Sequence, residues 1–196
     1  MFNELIFLES APNSNSPYLG GSPYLPKSIV WPVDSTGNPL LHLATFPAAF
    51  INKYAPVNLG LHLVVSVFTP YSKKPDSYIE KAMIEGGKII AYVASGEPVD
   101  GYGDPILPVR WISVFKNPGE DSDENGIAKI SGIPSWIQDE EVHGDLKYIL
   151  QINNLRLNKA APSHKSIFIG GSGFLLLKSN INCEDLMAGK LVIQTS

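Results

Sequence analysis

Cysteine is almost missing from this chain of 196 residues, with Cys183 as its single thiol. One thiol cannot make an internal disulfide, so the fold must rest on a packed core, and the usage fits a reducing cytoplasm. Charge is scarce as well: Asp, Glu, Lys and Arg make up 17% of the residues, where ~25% is usual. The net charge is −4, which argues against a nucleic-acid binder, because such proteins present a basic face. No apolar run approaches the ~20 residues of a membrane helix. The longest candidate, Leu59 to Phe68, is broken by Gly60, His62 and Ser66. The opening segment Met1 to Glu9 lacks a basic run, carries Glu4 and does not read as a signal peptide. The histidines, His42, His62, His143 and His164, show no metal-ligand spacing. Ser22, Ser131 and Ser172 lie in Gly-rich turns without the Gly-x-Ser-x-Gly frame of a nucleophile elbow. No catalytic residue, metal or cofactor is therefore expected.

Glycine and proline, by contrast, are abundant, at 17 and 16 residues. With so little Lys, Glu and Arg, this excludes a coiled coil or all-helical bundle. Aromatics at 10% and the small net charge exclude disorder. A chain of this length can bury about 70% of its unfolded surface.

Much of the Gly and Pro falls in two stretches that can be laid over each other. Gly20-Gly21-Ser22-Pro23-Tyr24-Leu25-Pro26 matches Ile130-Ser131-Gly132-Ile133-Pro134-Ser135-Trp136-Ile137 in a shared Gly-x-Pro followed by an aromatic. Apolar strand candidates follow each, Leu40 to Phe46 and Leu146 to Asn153. Gly-led strands come next, Gly60 to Phe68 and Gly173 to Lys178, and closing strands end each half, Lys88 to Ala94 and Lys190 to Thr195. The pattern predicts strands built into two diverged repeats with short helices. It predicts one domain over 1–196: a first repeat over about 18–94, a connecting strand and acidic loop over about 95–127, and a second repeat over about 128–196.

Helices are expected in three places. Ser77-Tyr78-Ile79-Glu80 has the form of a capping box, with Gly86-Gly87 as its stop. A shorter helix is expected over 184–188, capped by Asn182 and stopped by Gly189. A third is expected at Pro47 to Tyr54, with Pro47 at the first helical position. Val109 to Lys116 reads as a strand outside the repeats, and Asn117 to Asn125 as a polar connector. His42 and His62 are expected in strands. Cys183 reads as a small buried or inert thiol. Trp31, Trp111 and Trp136 are read as core residues in preference to ligand platforms.

The sharpest charge feature is the acidic loop. Glu120, Asp121, Asp123 and Glu124 form a candidate partner-binding patch for a basic protein, since acidic patches steer association. Asp121, Asp123, Asn125 and Gly126 also fit the start of a calcium loop, but the twelfth position, where a bidentate Glu is needed, is Gly132. Gly170-Gly171-Ser172-Gly173 reads as a tight entry to a strand, where glycine tolerates positive φ.

The order Gly-Gly-x-Pro-x-Leu-Pro at 20–26, Trp31-Pro32, and Asp-Ser-Thr-Gly-Asn-Pro at 34–39 ahead of an apolar strand resembles the YwqG-like family of bacterial proteins. Gly-x-Pro-x-Trp-Ile-Gln at 132–138 and Ile149-Leu150-Gln151-Ile152-Asn153 continue the resemblance from Tyr18 to about Ile193. The family-motif residues carried over, as structural ones, are Gly21, Pro23, Trp31, Pro32, Gly132, Pro134, Trp136, Gln151, Gly170 and Gly173. Two departures stand out. The motif glutamine is kept as Gln151 in one half, while the other half has Leu43-Ala44-Thr45-Phe46. Ile169 and Gly171 stand where relatives often have Trp and Asp.

The resemblance implies a duplicated, mostly antiparallel α+β core and no assigned reaction. Some relatives look like immunity proteins of secreted toxins, which implies a non-enzymatic module binding a cognate toxin, with no nucleic-acid or membrane partner. The alternative is a small-ligand-binding protein or hydrolase with a site between the repeats, where Gln151, His42 or His143 would meet an acid. Oligomeric state is left open.

Overall fold

A computed structural model describes residues 1–13, 15–74, 77–100, 104–139 and 144–196. The strands and helices follow in chain order. They are β1 (Phe2–Leu8), β2 (Tyr18–Leu19), β3 (Leu41–Pro47), α1 (Ala48–Tyr54), β4 (Asn58–Leu59), β5 (Val64–Thr69), α2 (Ile79–Ile84) and β6 (Gly87–Tyr92). Then come β7 (Arg110–Asn117), β8 (Lys129–Ile130), β9 (Leu146–Asn153), α3 (Asn154–Ala160), β10 (Ser172–Lys178), β11 (Asn180–Ile181) and β12 (Asp185–Gln194). Ten strands close into an antiparallel barrel in the order β1-β7-β2-β3-β5-β6-β12-β10-β9-β8, while β4 and β11 form a small parallel pair outside it. Closure removes every sheet edge from the barrel. Among the described residues no helix is long and apolar enough to cross a membrane.

The barrel reads alike in both directions from the β6–β12 seam. One side runs β6, β5, β3, β2, β7 and the other β12, β10, β9, β8, β1, and β7 pairs with β1 to complete the ring. At the seam Lys88 faces Lys190. Two residues beyond Lys88, Ile90 faces Ser66, which faces Thr45. Two residues beyond Lys190, Val192 faces Phe174, which faces Gln151. Both sides slip register by one residue in the same place. Phe68 faces His42 while Val67 faces Ala44, leaving Leu43 over; Leu176 faces Tyr148 while Leu175 faces Leu150, leaving Ile149 over. Each slip is a bulge, which bends the strand and raises its local twist.

Strands β3 and β10 are buried on both faces, which explains why their sequences do not alternate cleanly. The inner face packs into the main core, which includes Leu5, Phe46, Val67, Ile152 and Leu175. The outer face is covered by straps, the first of them rich in proline. In the strap before β3, Leu25, Ile29 and Leu40 pack on Phe68, Ile90 and Tyr92, with Trp31 beside them. In the strap before β9, Trp136 packs on Phe174, whose neighbours are Leu176 and Val192. Proline suits such straps, because it needs no ladder partner for an N–H.

Several sequence expectations need correction. Residues 184–188 form no helix: Asp185 starts β12 and faces Ala91 of β6, and from Gly189 the strand pairs with both β6 and β10. Helix α2 starts later than a capping box at Ser77 requires. Tyr78, whose hydroxyl donates to the Ser166 carbonyl at 2.8 Å, is its N-cap, and the Ser77 hydroxyl donates to the Lys74 carbonyl. Pro47 is the N-cap of α1, not its first residue, and the Ala48 N–H is satisfied by the Leu63 carbonyl at 2.9 Å. Residues 60–63 turn before β5, so His62 is not in a strand and Leu61 is exposed. Cys183 is exposed, not buried. Among the elements without a sequence expectation are β1 and α3, whose N-cap Asn153 accepts from the Arg156 N–H at 2.8 Å.

Candidate functional site

The acidic loop is anchored by one of its own carboxylates. Lys129, on β8, is fully buried and donates to Asp121 Oδ1 at 2.8 Å and to the Ser122 carbonyl at 2.9 Å. Asp121 Oδ2 accepts from the Ile133 N–H at 2.9 Å. Burial alone would raise the Asp121 carboxyl, but the Lys129 ammonium and the Ile133 N–H outweigh it and hold the group below the usual carboxylate range. Gly132 has φ +82°, and a Cβ there would sit 2.1 Å from Asp121 Oδ2. A glycine is thus needed where a calcium loop needs its last ligand, and an ammonium stands against the first carboxylate of that pattern.

The rest of the loop is tied through its backbone. Asn125 donates to the Glu120 carbonyl at 2.6 Å, and Gln151 Nε2 donates to the carbonyls of Asn125 and Ile127 at 3.3 and 3.2 Å. Glu120, Asp123 and Glu124 are exposed, and so is Ile133 beside them. Of the four sequence-predicted partner residues, three face solvent, while Asp121 holds the loop.

Gln151 ties the second strap to the barrel. Its Oε1 accepts from the Ser135 N–H at 2.8 Å and from the Tyr148 hydroxyl at 3.2 Å. At the matching register position on the other side, Thr45 is too short to reach a strap, and a chain of side chains stands in. Gly21 O is an acceptor only, so His42 Nδ1 carries the proton and donates to it at 3.0 Å. Nε2 must then accept from the Thr45 hydroxyl at 2.9 Å. Thr45 accepts from Ser66 at 2.6 Å, and Ser66 from Tyr92 at 2.8 Å. Burial pushes the His42 pKa down to about 4, against a smaller upward pull from the Gly21 carbonyl. The ring is therefore neutral at pH 7, as that bond order requires.

The other motif residues support the straps. Gly21 has φ +63°, and a Cβ there would meet Val109 at 2.7 Å. The Pro23 carbonyl accepts from the Val99 N–H at 2.9 Å. Trp31 Nε1 donates to the Leu40 carbonyl at 2.8 Å, and the Leu40 N–H to the Pro32 carbonyl at 2.9 Å. Trp136 stacks on Phe174 with ring centroids 4.3 Å apart, and Pro134 lies half-buried in the same strap. Gly170 has φ +85°, and Gly173 lies against the Phe168 ring, 2.5 Å from where a Cβ would stand.

Among the described residues, the interior gap between the two sides of the barrel, beside Leu43, Val67 and Leu175, measures about 10 Å³. His42 and Gln151 do not converge there, each being held by its own strap, and His143 lies outside the described residues. Open clefts lie elsewhere. One, beside the first strap, includes Tyr18, Tyr24 and Trp111, so Trp111 is not simply core. Another is lined by Tyr71, Lys73, Asp104 and His164. There His164 Nε2 donates to the Asp104 carbonyl at 2.9 Å, leaving Nδ1 to face the Ser163 hydroxyl at 2.9 Å. The Asp104 carboxylate pairs with Lys73 at 2.5 Å and does not orient the imidazole. Among the described residues, no group of three or more His, Cys, Asp or Glu could hold a metal ion. Compared with known families, curated proteins and solved structures, the chain matches none.

Sequence reasoning missed the His42–Thr45–Ser66–Tyr92 chain. Its members come from three strands, and only the position of Thr45, where the motif expects Gln, marks it in the sequence. The aromatic cleft was missed for a similar reason: the β2–β7 pairing brings Tyr18 to Trp111, and the strap adds Tyr24.

Proposed function

We propose that this chain is a non-enzymatic binding module whose acidic loop docks a basic protein, and that the partner is a secreted bacterial toxin neutralised in the cytoplasm, as the YwqG-like resemblance implies. The observation that carries the reading is the anchoring of Asp121 by buried Lys129 and the Ile133 N–H. It fixes the loop backbone while Glu120, Asp123 and Glu124 remain exposed next to an exposed isoleucine. An apolar spot rimmed by charge on a pre-ordered loop suits association, because little freedom is lost on docking and the charges steer the encounter. The histidine and glutamine that an interior enzyme site would draw on are committed to holding straps.

We also infer that residues 18–94 and 128–196 are diverged copies of one unit joined by 95–127. The support is the mirrored strand order, the bulges left over at Leu43 and Ile149, and the i to i+3 bonds across them, His42 to Thr45 and Tyr148 to Gln151.

Co-expression with the product of the adjacent gene tests the function. Co-purification and relief of toxicity are expected for the native chain. The variant Glu120→Lys/Asp123→Lys/Glu124→Lys is expected to keep its thermal midpoint but associate more slowly at low salt. Failure of the native chain to bind or protect refutes the reading; unchanged kinetics in the variant remove the loop from the interface.

A further inference from the structure

The cleft beside the first strap has a chemical character distinct from the acidic loop. Three aromatic residues, Tyr18, Tyr24 and Trp111, line it together with Leu107, Val109 and the carboxylate-bearing Asp100. Its volume of about 430 Å³ suits a small molecule. The Tyr18 and Trp111 rings meet edge to face, with centroids 5.9 Å apart and planes at 62°, so each fixes the other. The Tyr18 hydroxyl donates to the Ser22 carbonyl at 3.3 Å, and burial pushes its pKa up to about 12, so the phenol stays neutral. The Ser22 hydroxyl donates to Asp100 Oδ1 at 2.9 Å and orients that carboxylate at the cleft.

Every electrostatic feature here has the same sign. Aromatic faces carry negative potential and attract cations. Asp100 adds a formal negative charge, and no lysine or arginine lies among the described lining residues. A merely apolar ligand would use the rings and leave the oriented carboxylate without a role. An inorganic cation would use the carboxylate and leave the apolar wall without one. A cation clothed in methyl groups uses both.

We propose that this cleft binds an organic ammonium ion, with a trimethylammonium head group against Tyr18, Tyr24 and Trp111 and its charge balanced by Asp100. Such a ligand would be a free quaternary amine of choline size.

The test is calorimetric titration of the full chain with choline and with 3,3-dimethylbutan-1-ol, its neutral isostere. Saturable one-to-one binding of choline is expected, at least about fivefold tighter than the isostere, the ratio that a partly exposed cation–π contact supports. Asp100→Asn, a change at an exposed residue, should weaken choline several-fold and leave the isostere unchanged. Tyr24→Ala, also exposed, should weaken both. Equal affinity for the two ligands, no heat with choline, or choline affinity indifferent to Asp100→Asn would each overturn the proposal. None of these outcomes depends on the acidic loop or its partner.

Discussion

His42 and Tyr148 stand at matching register positions on opposite sides of the β6–β12 seam, each facing the residue two beyond the seam-matched pair Ser66 and Phe174. Each bonds the residue three further on, across a bulge: His42 to Thr45 at 2.9 Å, Tyr148 to Gln151 at 3.2 Å. In one half the long amide of Gln151 reaches the strap; in the other the imidazole of His42 does. The partners differ, yet in both halves a buried side chain holds the strap backbone.

The His42 chain makes stability depend on pH. Its pKa is about 4 in the fold, against 6.5 for an ordinary histidine. As pH falls below 6.5 the unfolded chain takes up a proton that the folded chain refuses, so stability is full above that value and is lost progressively down to about 4. The expected loss is about 3 kcal/mol. His164, also lowered by burial, adds to the same window. Urea unfolding across this range should show the loss, and His42→Gln should flatten most of it. An unaltered slope in the variant would contradict the assignment.

Gln151→Ala should be among the most damaging substitutions in the second half. It orphans the Ser135 N–H and removes a donor from two carbonyls. Each buried group left unsatisfied costs ~1–3 kcal/mol. Thr45→Val removes one hydroxyl that both donates and accepts, and should cost less, about 1–2 kcal/mol. Equal effects in equilibrium unfolding would mean that Gln151 does not hold its strap.

Lys129→Met should destabilise by about 3 kcal/mol, because it leaves the Asp121 carboxylate facing an apolar neighbour. Lys129→Met with Asp121→Asn should recover part of this, since the amide can still accept from Ile133. Additive losses in a double-mutant cycle would contradict the pairing.

Two glycines with nearly the same φ separate backbone strain from steric conflict. Gly37 has φ +85° with nothing near a prospective Cβ, whereas Gly132 at +82° has the Asp121 carboxylate 2.1 Å away. Gly37→Ala should cost only the left-handed penalty of about 1–2 kcal/mol. Gly132→Ala should cost clearly more and loosen the loop, seen as faster amide exchange at Ile133. Matching costs would mean that the loop yields freely.

What the sequence made legible follows the range of the interactions involved. Strand β9 was read with its observed bounds, because an apolar run between polar segments is a local signal. Strand β7 was read to within a residue for the same reason. The mostly antiparallel class came with the resemblance, but barrel closure did not, since it rests on β1 pairing with both β7 and β8. The helix expected over 184–188 failed because the segment is the lead-in of β12, joined to β6 at Asp185 and paired on both sides from Gly189, which overrode a plausible local cap. The acidic residues were visible as a run, yet the inward role of Asp121 depends on Lys129 and Gly132, which only the folded loop brings to it.

The most direct test of the binding reading is the association rate with the proposed toxin partner at low and high salt, for the native chain and for Glu120→Lys/Asp123→Lys/Glu124→Lys. The account predicts fast association that salt slows for the native chain, and slow association that salt does not slow for the variant, whose reversed charge repels a basic partner. Equal rates with the same salt dependence would contradict it.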